Sequence, residues 1–124
     1  MLQKAKPEDN FRFLKFKVYI DAKDFYNEVV KLTSVFSRSN FEFTDQLRRA
    51  ALSIMLNIAE GSAKKSDKDF NRYIKNALGS INECVACLDV AKSEKLINET
   101  DFGAFVTKAA SIANQLGGFS KFLN

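Results

Sequence analysis

Histidine and tryptophan are absent from the 124 residues, and proline occurs once. Without histidine there is no side chain that ordinarily titrates near neutral pH, so a proton shuttle has no ready carrier. The dinuclear carboxylate sites of helical bundles draw on Glu-x-x-His pairs, which this chain cannot supply. Cysteine is confined to Cys84 and Cys87, at C-x-x-C spacing. Four sulfur or imidazole ligands for zinc therefore cannot come from one chain. A redox pair usually sits where a helix N-terminus lowers the thiol pKa. These two instead fall deep inside a predicted helix beside Val85 and Leu88 and read as buried core thiols. One proline and five glycines leave few breaks, which favours long helices over a many-turned β fold. No apolar run approaches the ~18–20 residues that a bilayer span requires. After Lys4 and Lys6 come Glu8, Asp9 and Asn10, where the apolar core of a signal peptide would stand. The expectation is a cytoplasmic protein, not an enzyme, with no cofactor, metal or membrane partner.

What is present is apolar and slightly basic. Hydrophobic residues make up 46% and the formal net charge is +4. The basic excess is uneven, with fifteen basic against ten acidic residues in 1–76 and four against five in 77–124. A basic half can attract a polyanion. Twelve phenylalanines ask for more buried surface than a small bundle offers, a first sign of self-association.

Residues 1–10 read as a polar arm, and 11–124 as one domain. Phe11, Leu14, Val18, Phe25, Val29, Leu32 and Phe36 form the core stripe of a first helix running to about Val35. A second stripe, Phe16, Tyr19, Tyr26 and Val30, would be exposed on a monomer and is the expected oligomer interface. Ser37 to Phe43 is a predicted loop, with Thr44 as N-cap of the second helix. Leu47, Ala50, Ala51, Ile54 and Ile58 form that helix's core stripe, and Gly61-Ser62 stops it. Ser66 with Asp69 opens a third helix reaching about Lys92. Gly79 in its middle suggests close approach of another helix. Asn98 or Thr100 caps a fourth, whose last turns Gly117-Gly118 should weaken. Four helices with short connections favour an antiparallel, up-down-up-down four-helix bundle, all-α.

The second helix also carries an unusual polar line. Arg49, Ser53, Asn57 and Glu60 follow helical spacing on an otherwise apolar segment. Buried and unpaired, each such group would cost about 1–3 kcal/mol. The short turn at 62–66 sets a register that places Asn57 opposite Arg72 and Arg49 opposite Ser80. One turn of slack brings Glu60 to Arg72 and Arg49 to Glu83 as ion pairs. The expected network is thus Arg49, Ser53, Asn57, Glu60, Arg72, Ser80 and Glu83.

Leu47-Arg48-Arg49-Ala50-Ala51, Ser53 and Asn57-Ile58-Ala59-Glu60-Gly61 resemble the signature of the 23S rRNA intervening-sequence protein family. The likeness continues through Ser66, Asp69-Phe70, Arg72-Tyr73-Ile74, Ala77, Gly79-Ser80 and Glu83. Upstream, Phe41, Phe43-Thr44 and Gln46 occupy the family's aromatic lead-in. A proline common there is missing, and Lys64-Lys65 stands where an arginine is frequent, which weakens bidentate phosphate recognition. The resemblance implies a four-helix bundle assembled into a homo-oligomeric ring, five-fold in the family. More distantly, the chain is similar in architecture and charge to the accessory protein of diversity-generating retroelements, a basic pentameric barrel. The functional expectation is a non-enzymatic protein-interaction scaffold. The alternative is a basic ring that binds structured RNA through its phosphate backbone, using Arg48, Lys64, Lys65, Lys68, Arg72 and Lys75. The plain reading of each lysine is a solvated surface charge, and of Arg72 a structural ion pair.

Overall fold

Local chemistry starts and stops the helices. Ser66 accepts the backbone N–H of Asp69 at 3.1 Å, and Asn98 Oδ1 that of Asp101 at 2.7 Å, so both residues satisfy otherwise unpaired N-terminal donors. In the computed structural model, which describes residues 5–123, these caps open two of four long helices. They are α1 (Lys17–Thr33), α2 (Phe41–Ser62), α3 (Asp67–Ser93) and α4 (Glu99–Leu123). Three 3-10 turns accompany them, Pro7–Asn10, Arg12–Lys15 and Arg38–Asn40, and there is no strand among the described residues.

Each helix runs antiparallel to its neighbours. Gln46 meets Glu83, and Gly61 meets Phe70, across α2 and α3. Arg48 reaches Thr33 across α1 and α2. Asp21 meets Gln115, and Glu28 meets Lys108, across α1 and α4. Phe70 packs on Phe119, and Lys92 lies over Phe102, across α3 and α4. The core between them holds much of the expected stripes of the first two helices, with Val18, Phe25, Val29, Leu47, Ile54 and Ile58 buried, and Ile74, Leu88, Ile112 and Leu116 of α3 and α4 are buried against them. Residues 7–10, the described turn of the expected arm, form the first 3-10 turn; residues 1–4 lie outside the described residues.

Four expectations about elements are corrected. The first helix starts at Lys17, because Phe16 is extended (φ −70°, ψ 128°). Preceding it, Arg12 donates from Nε and Nη2 to the Ser62 carbonyl at 3.1 and 2.9 Å, and Phe13 packs edge-on to Tyr19. These tertiary anchors override helical continuation and leave Phe11 and Leu14 exposed. The second helix begins at Phe41, so Thr44 lies inside it; Asn40 is the N-cap and makes no side-chain cap bond. A Cβ at Gly79 would meet nothing within 4 Å among the described residues, whereas one at Gly61 would lie 2.8 Å from Phe70 Cδ1 and Tyr73 Cβ. Close helix approach therefore sits at the α2–α3 corner. Finally, Gly117-Gly118 do not interrupt α4, which continues to a buried Leu123.

Candidate interaction surfaces

The aromatic flank assigned to a sister subunit is largely used inside the chain. Tyr19 is buried, with Phe13 against its ring at 4.8 Å. Phe16 lies 5.5 Å from Phe119 of α4, and Tyr26 and Val30 are half-buried. α4 and the turn before α1 cover what the α1 pattern alone leaves open. The flank is not a free surface on the monomer.

The polar line of α2 is real but satisfied differently from the expectation. Ser53 Oγ and Ser80 Oγ are 2.8 Å apart, joining α2 to α3. Asn57 Nδ2 donates to the Ser53 carbonyl at 2.8 Å and to Ser53 Oγ at 3.1 Å. Ser80 also donates back to the Asn76 carbonyl, a bond open to serine inside a helix. The neutral members therefore form one compact chain of bonds. The charged members do not form the expected ion pairs. Arg49 Nε binds Asp45 one turn back at 2.8 Å, and Arg72 lies 3.8 Å from Asp69. Glu83 accepts from Gln46 Nε2 at 2.6 Å, and Glu60 is exposed with no ion pair among the described residues. Exposed charges take partners three or four residues away because little ordering is needed to reach them. The outer side of α2 is thus a shallow groove lined by Arg49, Leu52, Ser53, Leu56, Asn57 and Glu60.

A basic cluster occupies the corner between α2 and α3. Lys64, Lys65, Lys68, Arg72 and Lys75 are exposed there, with Asp67 and Asp69 among them. Lys64 Nζ and Arg72 Cζ each lie about 5 Å from the Tyr73 ring centroid, at 5.1 and 5.2 Å, a cation–π arrangement that holds both charges at the corner. Arg48 does not join them. Its Nε donates to Thr33 Oγ1 at 2.7 Å and its Nη2 to the Val30 carbonyl at 3.3 Å, closing the last turn of α1. Sequence reasoning took this arginine for a phosphate ligand. It also missed Arg12, whose guanidinium lies near the Phe16 and Phe70 rings as well as on Ser62. The signal for Arg48 was its place on the flank of α2 that turns toward α1; Arg12 carried none.

Elsewhere, Cys84 is fully buried and Cys87 half-buried. Burial pushes the Cys84 thiol up to about 12 and raises Cys87 as well. Neither is an activated nucleophile. Asp21 borders a cleft between α1 and α4 with Asp24, Glu28, Lys108 and Ser111. Hydrogen bonds from Lys17 and then Gln115 hold its carboxyl below the usual value. Among the described residues no group of three or more His, Cys, Asp or Glu gathers to hold a metal ion. Nor is any described helix long and apolar enough to cross a membrane.

Residues 14–118, from the turn before α1 into the last part of α4, match the model of one family, the 23S rRNA-intervening sequence proteins. The chain belongs to that family. A crystal structure of a protein of unknown function from the S23 ribosomal protein family of Bacteroides thetaiotaomicron is similar in fold. It superposes with a TM-score of 0.78 at 24% identity, over 84% of this chain and 98% of its own. A comparison with curated protein sequences finds no match. In this 23S rRNA-intervening sequence protein, the outer side of α2 and the basic α2–α3 corner are among the surfaces that the bundle leaves uncovered.

Proposed function

We propose that this protein is a non-enzymatic scaffold whose bundles associate with one another and present a composite surface to a protein partner in the cytoplasm. The observation that carries the reading is the outer side of α2. Leu56 is 51% exposed and Leu52 half-buried, in a file otherwise made of charged and hydrogen-bonding groups. An apolar centre with a polar rim is the composition of a protein-binding patch. Association through it would place the copies in a ring, which the family resemblance puts at five-fold. Light scattering on the purified protein tests this. We expect a mass of several chains at micromolar concentration, and a single chain at all concentrations would refute it.

A second reading is favoured by the corner cluster. Five exposed cations against two carboxylates form a backbone-seeking surface for structured RNA, and repetition around an oligomer multiplies the phosphate contacts. We expect Lys64→Ala with Lys68→Ala to weaken an RNA mobility shift and flatten its dependence on salt. Absence of any shift by the wild type at low salt would dispose of the reading.

A further inference from the structure

An open groove of about 660 Å³ runs between the outer face of α3 and the end of α4. Lys68, Arg72 and Lys75 line it at i, i+4 and i+7, on one face of α3, and Leu123 lines it from α4. The two walls are tied together, because Ser120 of α4 donates to Asn71 Oδ1 of α3 at 2.6 Å. The Arg72 side chain is 65% exposed, with the Asp69 carboxylate 3.8 Å away. Lys68 and Lys75 form no ion pair among the described residues. We propose that this groove receives an acidic amphipathic helix of a partner protein. The proposal rests on the scaffold reading for there being such a partner, and names the surface and the chemistry that recognise it.

Three cations against one carboxylate leave the groove with an excess of positive charge, which a segment bearing carboxylates offsets. Lys68 to Lys75 spans about 10.5 Å at 1.5 Å per residue, the separation of side chains seven apart on a second helix. A partner helix lying along α3 therefore meets all three cations with carboxylates at i, i+4 and i+7 if parallel, or i, i+3 and i+7 if antiparallel. Its adjoining stripe faces Leu123 and the alkyl stems of Lys68 and Lys75, an apolar seat for leucine-sized side chains beside the charges. One turn beyond Lys75, a Cβ at Gly79 would meet nothing within 4 Å, so no described side chain overhangs the helix as it leaves the groove. RNA is the other occupant that three cations suit. A phosphate backbone makes no use of an apolar seat, and Asp69 stands inside the groove against it, whereas Lys64 and Lys65 lie out on the corner. No residue of α2 lines the groove, so a partner seated there leaves the outer side of α2 free for sister copies.

The probe is a rhodamine-labelled, alanine-based peptide of about 18 residues, long enough to populate a helix, with Glu at i, i+4 and i+7 and Leu on the adjoining stripe. Fluorescence anisotropy with the wild type should give a dissociation constant below about 100 μM. Replacing the peptide's leucines by serine should weaken binding about 5-fold or more. Lys68→Glu with Lys75→Glu changes two exposed positions, and circular dichroism verifies the fold. This double variant should bind the acidic peptide at least about 10-fold more weakly and instead take up a peptide with Lys in place of each Glu, an exchange that unfolding does not produce. No binding by the wild type, equal binding of the serine peptide, or a double variant that fails to exchange its preference would overturn the proposal. A short RNA duplex that binds through Lys68 and Lys75 while the peptide does not would overturn it in favour of RNA. An assembled wild type that ignores the peptide overturns the groove alone, and a single chain that binds the peptide overturns self-association alone.

Discussion

Gly61 is the residue on which the α2–α3 corner closes. Any Cβ there meets Phe70 Cδ1 and Tyr73 Cβ at 2.8 Å, and Tyr73 Cβ, next to the backbone, cannot swing away. We expect Gly61→Ala to destabilise the fold by about 1–3 kcal/mol through overpacking, measured by urea unfolding. Gly79→Ala, with open space around it, should stabilise by up to about 1 kcal/mol through helix propensity. The same sequence signal, glycine in a helical context, thus has opposite consequences at the two positions. Sequence alone favoured the wrong one, because what a glycine faces is a tertiary fact. Cys84 was legible, by contrast, since its apolar neighbours are its own helical turn. Its thiol is held up to about 12 by burial, so the folded chain retains the proton more tightly than the unfolded chain. That contribution is full below the ordinary value of 9.0 and is lost as the pH rises from there toward about 12. Between about pH 8 and about pH 10.5, urea stability should fall less for Cys84→Ala than for the wild type. In the native protein at pH 8, a thiol reagent should modify Cys87 well before Cys84.

At the scale of elements, Arg12 joins the chain before α1 to the end of α2. Two hydrogen bonds to one carbonyl and the nearby Phe16 and Phe70 rings give it more purchase than a surface ion pair. Arg12→Ala should cost about 1–2 kcal/mol and open residues 7–16 to proteolysis while α2 and α3 stay protected. Arg12→Lys should rescue it poorly, lacking the two-pronged guanidinium. This anchor also explains why the first helix is shorter than its hydrophobic pattern. Phe11 and Leu14 continue the spacing of Val18 and Phe25, yet the chain leaves the helix at Phe16 to place Arg12 and Phe13. Periodicity found the four helices and most of their inward faces. It located the second helix's start four residues late, with the N-cap at Thr44 instead of Asn40, because Phe41 to Phe43 look like loop until the turn at Arg38–Asn40 leads directly into them. Pairing across α2 and α3 was only half legible. The Ser53–Ser80 contact and the bond to Glu83 exist, but Ser80 meets Ser53 where Arg49 was expected, and Gln46 takes Glu83. A register estimated from turn length is good to about one helical turn, which is enough to exchange every partner on an exposed edge.

For the whole molecule, the family and the all-helical fold were legible because the signature from Leu47 to Glu83 spans the tightest helix pair. The surface available to a partner was not. The second stripe of α1 is amphipathic in isolation, and it takes the closure of α4 over Phe16 and of Phe13 over Tyr19 to use up that flank. The bundle's uncovered apolar side chains then include Leu56, at the middle of the α2 edge. On the proposed reading, assembly therefore turns on α2 and not on α1. Sedimentation velocity of the wild type and Leu56→Arg, side by side across a dilution series, measures this most directly. A charge at the centre of the contact should weaken association about 30-fold or more, so the wild type should sediment as an assembly at concentrations where Leu56→Arg is a single chain. If both sediment as the same assembly, or the wild type is a single chain throughout, the outer edge of α2 does not hold the copies together.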